Sequence, residues 1–342
     1  MKRFFALCSL FLVLLSLCGC KQEKRFQKTY IDYFDTVVTI IGYEKSEKDF
    51  NAICNEIEPL LDRYHKLFDI YNSYNGINNI YTINNAKKEA PVVDKELIDL
   101  IEFSKEMYAL TNGQTNIAMG SVLKHWHNAR LNASGESGKA SIPDISLLKE
   151  AAKHCDINDV IIDKEKSTVF LNDPQMRIDV GAVAKGYAMQ KVYEHLETKG
   201  VSGYALNFGG MVKMLGKRGD GQEWTVAVEN PISTSSYVPI VSPKNYALST
   251  SGSYQRYFEV DGVRYHHIID PDTLMPENNY LAVSVLTENC AEADVLSTAL
   301  FNMSLEDAKK ALAEREDSVG VMWVFPDGKR EYFGNFKDFM IE

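Results

Sequence analysis

The chain is poor in cysteine where it would need it for scaffolding. Of six cysteines in 342 residues, three fall within the first twenty; only Cys54, Cys155 and Cys290 follow. An odd, widely spaced set does not make a disulfide framework, and the absence of any CxxC pair argues against a structural zinc site. Basic runs are also missing. The formal net charge is −10, and no Lys/Arg stripe interleaves with aromatics, so nucleic acid is not an expected partner. There is no P-loop, no GxGxxG fingerprint and no GxSxG elbow, which removes the commonest nucleotide and serine-hydrolase readings. No repeat of fixed period occurs.

Long apolar runs are absent except one. Phe4 to Leu17 follows Lys2 and Arg3 and closes on Leu17-Cys18-Gly19-Cys20. That is short for a membrane span, which needs about 20 residues, and suits a signal-peptide core. The ending resembles a bacterial lipobox, with Cys20 as the lipidated first residue of the mature chain. The expectation is therefore a signal peptide over 1–19, a polar tether over 20–28 and one folded domain over 29–342, held to a cell membrane on its extracytoplasmic face. Stable anchoring takes two or more acyl chains.

Within the domain, apolar spacing predicts strands and helices without regular βαβ alternation. Thr36–Tyr43 reads as a strand. Ser46 caps a helix whose apolar residues run from Phe50 to Phe68, with Pro59 expected to kink or divide it. Further helices are expected after Asp94, over 144–154, over 182–196, and over 291–302 and 305–314. Short strands are expected over 177–180, 204–207, 224–229, 246–249, 257–260, 263–269, 282–286, 320–325 and 330–333. Asp261-Gly262 makes a hairpin turn. The order of the Asn-rich stretch 71–85 is not legible. The mixture favours an α+β fold over a doubly wound sheet.

Three segments carry chemistry. In Asp179-Val-Gly-Ala-Val-Ala-Lys185-Gly-Tyr187, a carboxylate precedes a glycine turn and a helix start. N–H groups at a helix start favour phosphate, and Lys185 adds a point charge one turn in. A plain turn with a solvated lysine is the other reading. In Cys290-Ala-Glu-Ala-Asp294-Val-Leu-Ser297-Thr298, Asp294 and Thr298 share a helix face, and their hard oxygens suit Mg²⁺ better than zinc. A polar stripe on an amphipathic helix would look the same. In Ala247-Leu-Ser-Thr250-Ser251-Gly252, followed by His266-His267-Ile-Ile-Asp270-Pro271, hydroxyls at a strand end suit a phosphate or ring edge. Only one of two adjacent histidines faces a given side of a strand.

Together these pieces resemble one family. DVGAVAKGYA, NFGG (Asn207–Gly210), ALSTSG, HHIIDP and AEADVLSTALF occur in the order seen in the FAD:protein FMN transferases, the ApbE flavin-transferase family, from about Tyr30 to Phe333. The resemblance implies a single large mixed α/β domain that binds FAD as substrate with a divalent metal, usually Mg²⁺. It implies transfer of FMN to a threonine hydroxyl of a target flavoprotein, exported or membrane-bound, with release of AMP. FAD hydrolysis to FMN and AMP, and FAD binding without cleavage, remain as alternatives. By position, Asp294, Thr298 and the Ala182 carbonyl would hold the metal. Asp179 and Lys185 would contact FAD, and Ala118-Met119-Gly120 would approach its flavin or adenine. Thr250 and Ser251 join the FAD site, and His267 is the candidate general base. Where the family commonly shows Phe-Asp and a small residue after Asn112-Gly113, this chain has Gln114-Thr115-Asn116-Ile117-Ala118.

Overall fold

A computed structural model describes residues 23–134, 140–233 and 236–341. Eight strands form the main sheet: β1 (Lys24–Tyr33), β2 (Thr36–Glu44), β3 (Tyr204–Phe208), β4 (Met211–Leu215), β5 (Ala247–Gly252), β6 (Ala282–Thr287), β7 (Gly320–Val324) and β8 (Arg330–Gly334). They lie side by side in chain order, each antiparallel to the next. The sheet is thus a meander interrupted by long insertions, which is the expected α+β class. The helices are α1 (Glu47–Phe68), α2 (Ile80–Asn85), α3 (Lys95–Leu110), α4 (Gly120–Ser134), α5 (Ile145–Ala152), α6 (Ala184–Thr198), α7 (Cys290–Asn302) and α8 (Leu305–Ala311).

Central strands are covered on both faces. Along β3, β6 and β7 the side chains alternate between two cores. Leu206, Val283, Val285, Val321 and Trp323 join the main core with residues of α1, α6 and α7. Ala205, Ala282, Leu286, Met322 and Val324 point the other way, against Phe336 and the small sheet carrying Val228 and Val241. Burial on both sides explains why β6 and β7 carry no charged residue and why the one charge in β4, Lys213, is itself buried.

Several expectations are corrected here. Residues 24–28, read as tether, are already in β1 and pair with β2, and Phe26 stacks on Phe50 at 5.7 Å. The signal-peptide and lipobox residues, Cys20 included, lie outside the described residues. Helix α1 runs through Pro59 undivided, capped by Ser46, which accepts from Asp49 N–H. The segment 177–180 is not a strand and contributes only a bridge between Met119 and Arg177. Helix α4, strand β4 and the short strand Tyr237–Val241 had no counterpart in the sequence reading.

Helices α6 and α7 meet at Gly186. A Cβ there would lie 2.5 Å from the Cys290 carbonyl oxygen and 2.6 Å from Asp294 Cβ. Glycine is disfavoured in helices by about 1 kcal/mol against alanine, yet overpacking costs about 1–3 kcal/mol and here meets backbone that cannot yield. Gly186→Ala is therefore expected to lower the urea midpoint of unfolding despite its better helix propensity. A midpoint equal to or above that of the parent protein would contradict this packing.

Candidate functional site

The turn before α6 is held from outside its own segment. Asn84 brackets the Ile178 peptide: its Nδ2 donates to Ile178 O at 2.8 Å and its Oδ1 accepts from Ile178 N at 2.7 Å. Asp179 N donates to Ile117 O at 2.7 Å. These bonds aim the Asp179 carboxylate, which accepts from Gly181 N–H at 2.8 Å. Burial pushes its pKa up, opposed by that N–H and by His127, Arg177 and Arg130. The Asn-rich stretch thus has an ordered task. Asn79 caps α2 and donates to the carbonyls of Lys66 and Asn72, and α2 presents Asn84.

The glycine contact brings α7 against this turn. Asp294 is buried between the helices, its side chain 6% exposed. Lys185 Nζ lies 2.8 Å from Oδ1 and 3.0 Å from Oδ2, and Gly186 N–H donates to Oδ2 at 2.9 Å. One turn on, Thr298 Oγ1 donates to Asp294 O at 3.2 Å. Hydroxyls then link α7 to β5. Ser251 Oγ is 2.9 Å from Ser297 Oγ and 3.4 Å from Thr298 Oγ1, and Ser249 reaches the same Ser297 at 3.2 Å. Thr250 sits opposite Ser284 across β5 and β6, and the two hydroxyls pair at 2.8 Å.

The adjacent histidines divide their roles. His266 is 2% exposed; its Nε2–H donates to Glu277 O at 2.7 Å, its Nδ1 accepts from Ile268 N–H at 3.2 Å, and its ring meets Phe301 edge-on. Both ring nitrogens are committed to holding the loop. His267 has no hydrogen-bond partner among the described residues. Solvent reaches its ring through the cavity, although protein surrounds it on most sides. Lost hydration, then the positive charges of Arg256 and other neighbours, push its pKa down to about 3. Its neutral, proton-accepting form is the one present at neutral pH.

All these elements open on one cavity of about 590 Å³. Of the residues singled out from the sequence, Met119, Asp179, Ala182, Lys185, Thr250, Ser251, His267, Asp294 and Thr298 line it. Ala118 and Gly120 do not. Ala118 is in the main core, and Gly120 packs against Arg177, whose carbonyl oxygen would lie 2.6 Å from an added Cβ. They shape the wall behind Met119. The departure at 114–118 has a structural account as well. Asn116 Oδ1 accepts from Ala118 N–H at 2.8 Å, as a carboxylate there would, and its Nδ2 donates to Cys155 O at 2.9 Å. Gln114 holds Asp272 at 2.9 Å.

Two cationic residues were not foreseen. Arg130 at the end of α4 and Arg256 before the hairpin 257–266 both face the cavity. Neither has a carboxylate partner within ion-pair distance among the described residues. Arg256 donates to Asp35 O at 2.6 Å, and Arg130 approaches His127 Nδ1 at 3.4 Å. Burial lowers the Arg130 pKa, and the like charge of Arg256 lowers it further. A half-buried arginine beside a second, exposed one, both bordering a cavity in an acidic chain, makes an anion site. No local motif surrounds either arginine, and only the fold brings them together. Beside them, Tyr71 stacks on His127 with centroids 4.9 Å apart, and Trp126 stacks on Tyr265 at 6.0 Å, giving the cavity aromatic walls.

The donor set suits a hard divalent cation. Ala182, Asp294 and Thr298 offer a carbonyl, a carboxylate and a hydroxyl to one cavity, and the buried carboxylate already holds a cation, the Lys185 ammonium, against it. Among the described residues no three His, Cys, Asp or Glu side chains cluster, so a metal here rests on one carboxylate plus neutral oxygens. Mg²⁺ binds in that manner, keeping positions for water and phosphate.

An antiparallel sheet whose insertions gather an acid, hydroxyls, an imidazole and cations around one aromatic-walled cavity has the donor set that suits a phosphate-bearing aromatic ligand. The chain belongs to the ApbE flavin-transferase family, whose sequence model matches residues 34–323. Among similar proteins, the FAD:protein FMN transferase of Vibrio cholerae is 30% identical over 336 residues, 96% of each chain. That of Klebsiella pneumoniae is 31% identical over 269 residues, 78% of this chain and 80% of its own. The crystal structure of the ApbE protein of Thermotoga maritima superposes with a TM-score of 0.80 at 28% identity, over 93% of this chain and all of that one.

The two histidines are expected to separate stability from turnover. His266→Ala leaves buried groups unpaired, at about 1–3 kcal/mol, and should lower the melting temperature. His267→Ala removes an unbonded ring and should leave melting nearly unchanged while turnover falls. The reverse assignment, by calorimetry and rate measurement, would contradict the site.

Proposed function

We propose that this chain is a Mg²⁺-dependent FAD:protein FMN transferase. It attaches FMN through a phosphoester bond to a threonine of an exported or membrane-bound flavoprotein and releases AMP. The single observation that supports this most is the convergence of Ala182, Lys185, Asp294, Thr298 and His267 on one cavity. Anchoring through Cys20 on the extracytoplasmic face belongs to the same proposal and rests on the lipobox-like ending of the apolar run. No described helix is long and apolar enough to cross a membrane.

The diphosphate of FAD carries two negative charges. Lys185, Arg130 and Arg256 supply the positive side chains that border the cavity, and the start of α6 adds backbone N–H groups. Held by Asp294, Thr298 and the Ala182 carbonyl, Mg²⁺ would neutralise charge that builds on the departing phosphate. Tyr71 and Tyr265 offer faces to the ring systems, the latter backed by the buried Trp126. His267 accepts the proton of the incoming threonine hydroxyl. The hydroxyl oxygen bonds to the FMN-side phosphorus, the bridging P–O bond breaks, and AMP leaves with the bridging oxygen. Placing the hydroxyl in line with that bond is the larger part of the task.

Substrate also tunes the base. In the free protein lost hydration, and then the cations around His267, hold its pKa near 3. A bound dianion offsets those cations and raises it, making the imidazole a stronger base at the moment it is needed. The acid limb of kcat/KM, which reports the free enzyme, is therefore expected well below the ordinary histidine value of about 6.5. The limb of kcat is expected at higher pH. Coincident limbs at or above the ordinary value would contradict this coupling. The function itself is tested by incubating the chain with FAD, MgCl₂ and a threonine-bearing acceptor domain. An acceptor gaining the mass of FMN, with one AMP per label, is expected. Free FMN and AMP with an unlabelled acceptor would make the chain a pyrophosphatase instead. Intact FAD would leave it a binding protein.

A further inference from the structure

We infer that Lys185 is the resident counter-ion of Asp294, and that a divalent cation enters the site by exchange with its ammonium, which then turns to the phosphate of the ligand. The inference rests on the metal-dependent reading above. Its basis is the geometry of one carboxylate. Asp294 lies between α6 and α7, almost without solvent, and a carboxylate there needs a positive partner to stay charged. Lys185 supplies it by straddling both oxygens at 2.8 and 3.0 Å.

The two oxygens are not equivalent. Oδ2 also accepts from Gly186 N–H at 2.9 Å, a bond fixed by the close helix contact. Oδ1 has Lys185 as its only partner among the described residues. A cation ligated by Oδ1 at about 2.0–2.1 Å, the Mg²⁺–oxygen distance, would occupy the space that Nζ fills and would repel it. Oδ2 and its backbone bond can stay. Lysine suits such an exchange: its head is compact, its stem flexible, and its side chain is 26% exposed at the cavity. His267, Arg130 and Arg256 border the same cavity, so the released ammonium joins the groups that face an incoming phosphate.

The test compares the parent protein with Lys185→Met, Lys185→Arg and the double variant Lys185→Met/Asp294→Asn, titrated with MgCl₂ and followed by thermal melting and calorimetry. Lys185→Met is expected to melt lower without metal and to bind Mg²⁺ tighter by on the order of tenfold or more, the size of couplings between close charge pairs. Lys185→Arg should bind Mg²⁺ no tighter than the parent. The double variant, neutral at both positions, should recover metal-free stability and lose the Mg²⁺ response. Equal or weaker Mg²⁺ binding by Lys185→Met overturns the exchange and leaves the metal site standing. Absence of any Mg²⁺ response in parent and variant alike, with FAD binding intact, overturns both. A measurement on the unaltered protein guards against a variant that does not fold. Acetylation of Lys185 by an N-hydroxysuccinimide ester, read by mass spectrometry, should rise when MgCl₂ is added and fall again when FAD follows. Labelling unchanged or reduced by MgCl₂ counts against the exchange.

Discussion

The buried carboxylate of Asp294, clasped by Lys185 and by the N–H of Gly186, is the constraint on which the site depends. It joins a turn in the insertion after β2 to a helix in the insertion after β6. Glycine at 186 is what permits the approach, since even a methyl group would strike the backbone of α7. Without that contact the Ala182 carbonyl, the Asp294–Thr298 couple and the hydroxyls of β5 would not face a common space. A buried ion pair of this kind adds little to net stability, because desolvation offsets attraction. Its consequence is positional: it fixes a charged oxygen where a cation and a phosphate can meet.

The sheet supplies the frame for this placement. Its strands follow chain order, so the architecture is simple, and the chemistry sits in what is inserted between them. The insertion between β2 and β3 brings α4, Asp179 and α6; that between β5 and β6 brings Arg256, the hairpin and the histidines; that between β6 and β7 brings α7. Loops and helix starts mounted on a rigid sheet commonly carry function in this way. The acidic character of the whole chain does not conflict with an anionic ligand. Lys185, Arg130 and Arg256 concentrate positive charge locally, and the proposed metal would add to it.

How much of this was legible in the sequence follows from range of interaction. Segments whose signals are local read well. Ser46 and Asp94 cap their helices as expected, Asp261-Gly262 turns its hairpin with positive φ at both positions, and Gly200 ends α6. Strand β4 did not read, because a lysine interrupts it. Lys213 is nevertheless buried, its Nζ held by the carbonyls of Asn245 and Glu288, and no local pattern announces that. Within the site, the candidate oxygen ligands and the histidines stood out by residue type and by resemblance, and the structure places them on one cavity. Arg130 and Arg256 did not stand out, nor did the bracing task of Asn84, since these roles arise from partners far along the chain. The bond from Asn84 to Ile178 spans 94 positions. The two histidines could be told apart only once the hydrogen bonds of His266 were in view. Residues 24–28 misled for a related reason: a charged edge strand looks like a tether until its pairing partner is known.

The central claim is that the Asp294 carboxylate places a divalent cation beside the diphosphate of FAD. The most direct measurement is ³¹P NMR of FAD bound to the protein, titrated with substoichiometric Mn²⁺. The account predicts strong paramagnetic broadening of both diphosphate resonances in the parent protein and its loss in Asp294→Asn with FAD still bound. Equal broadening in parent and variant, or sharp resonances in the parent with Mn²⁺ demonstrably bound, would contradict it.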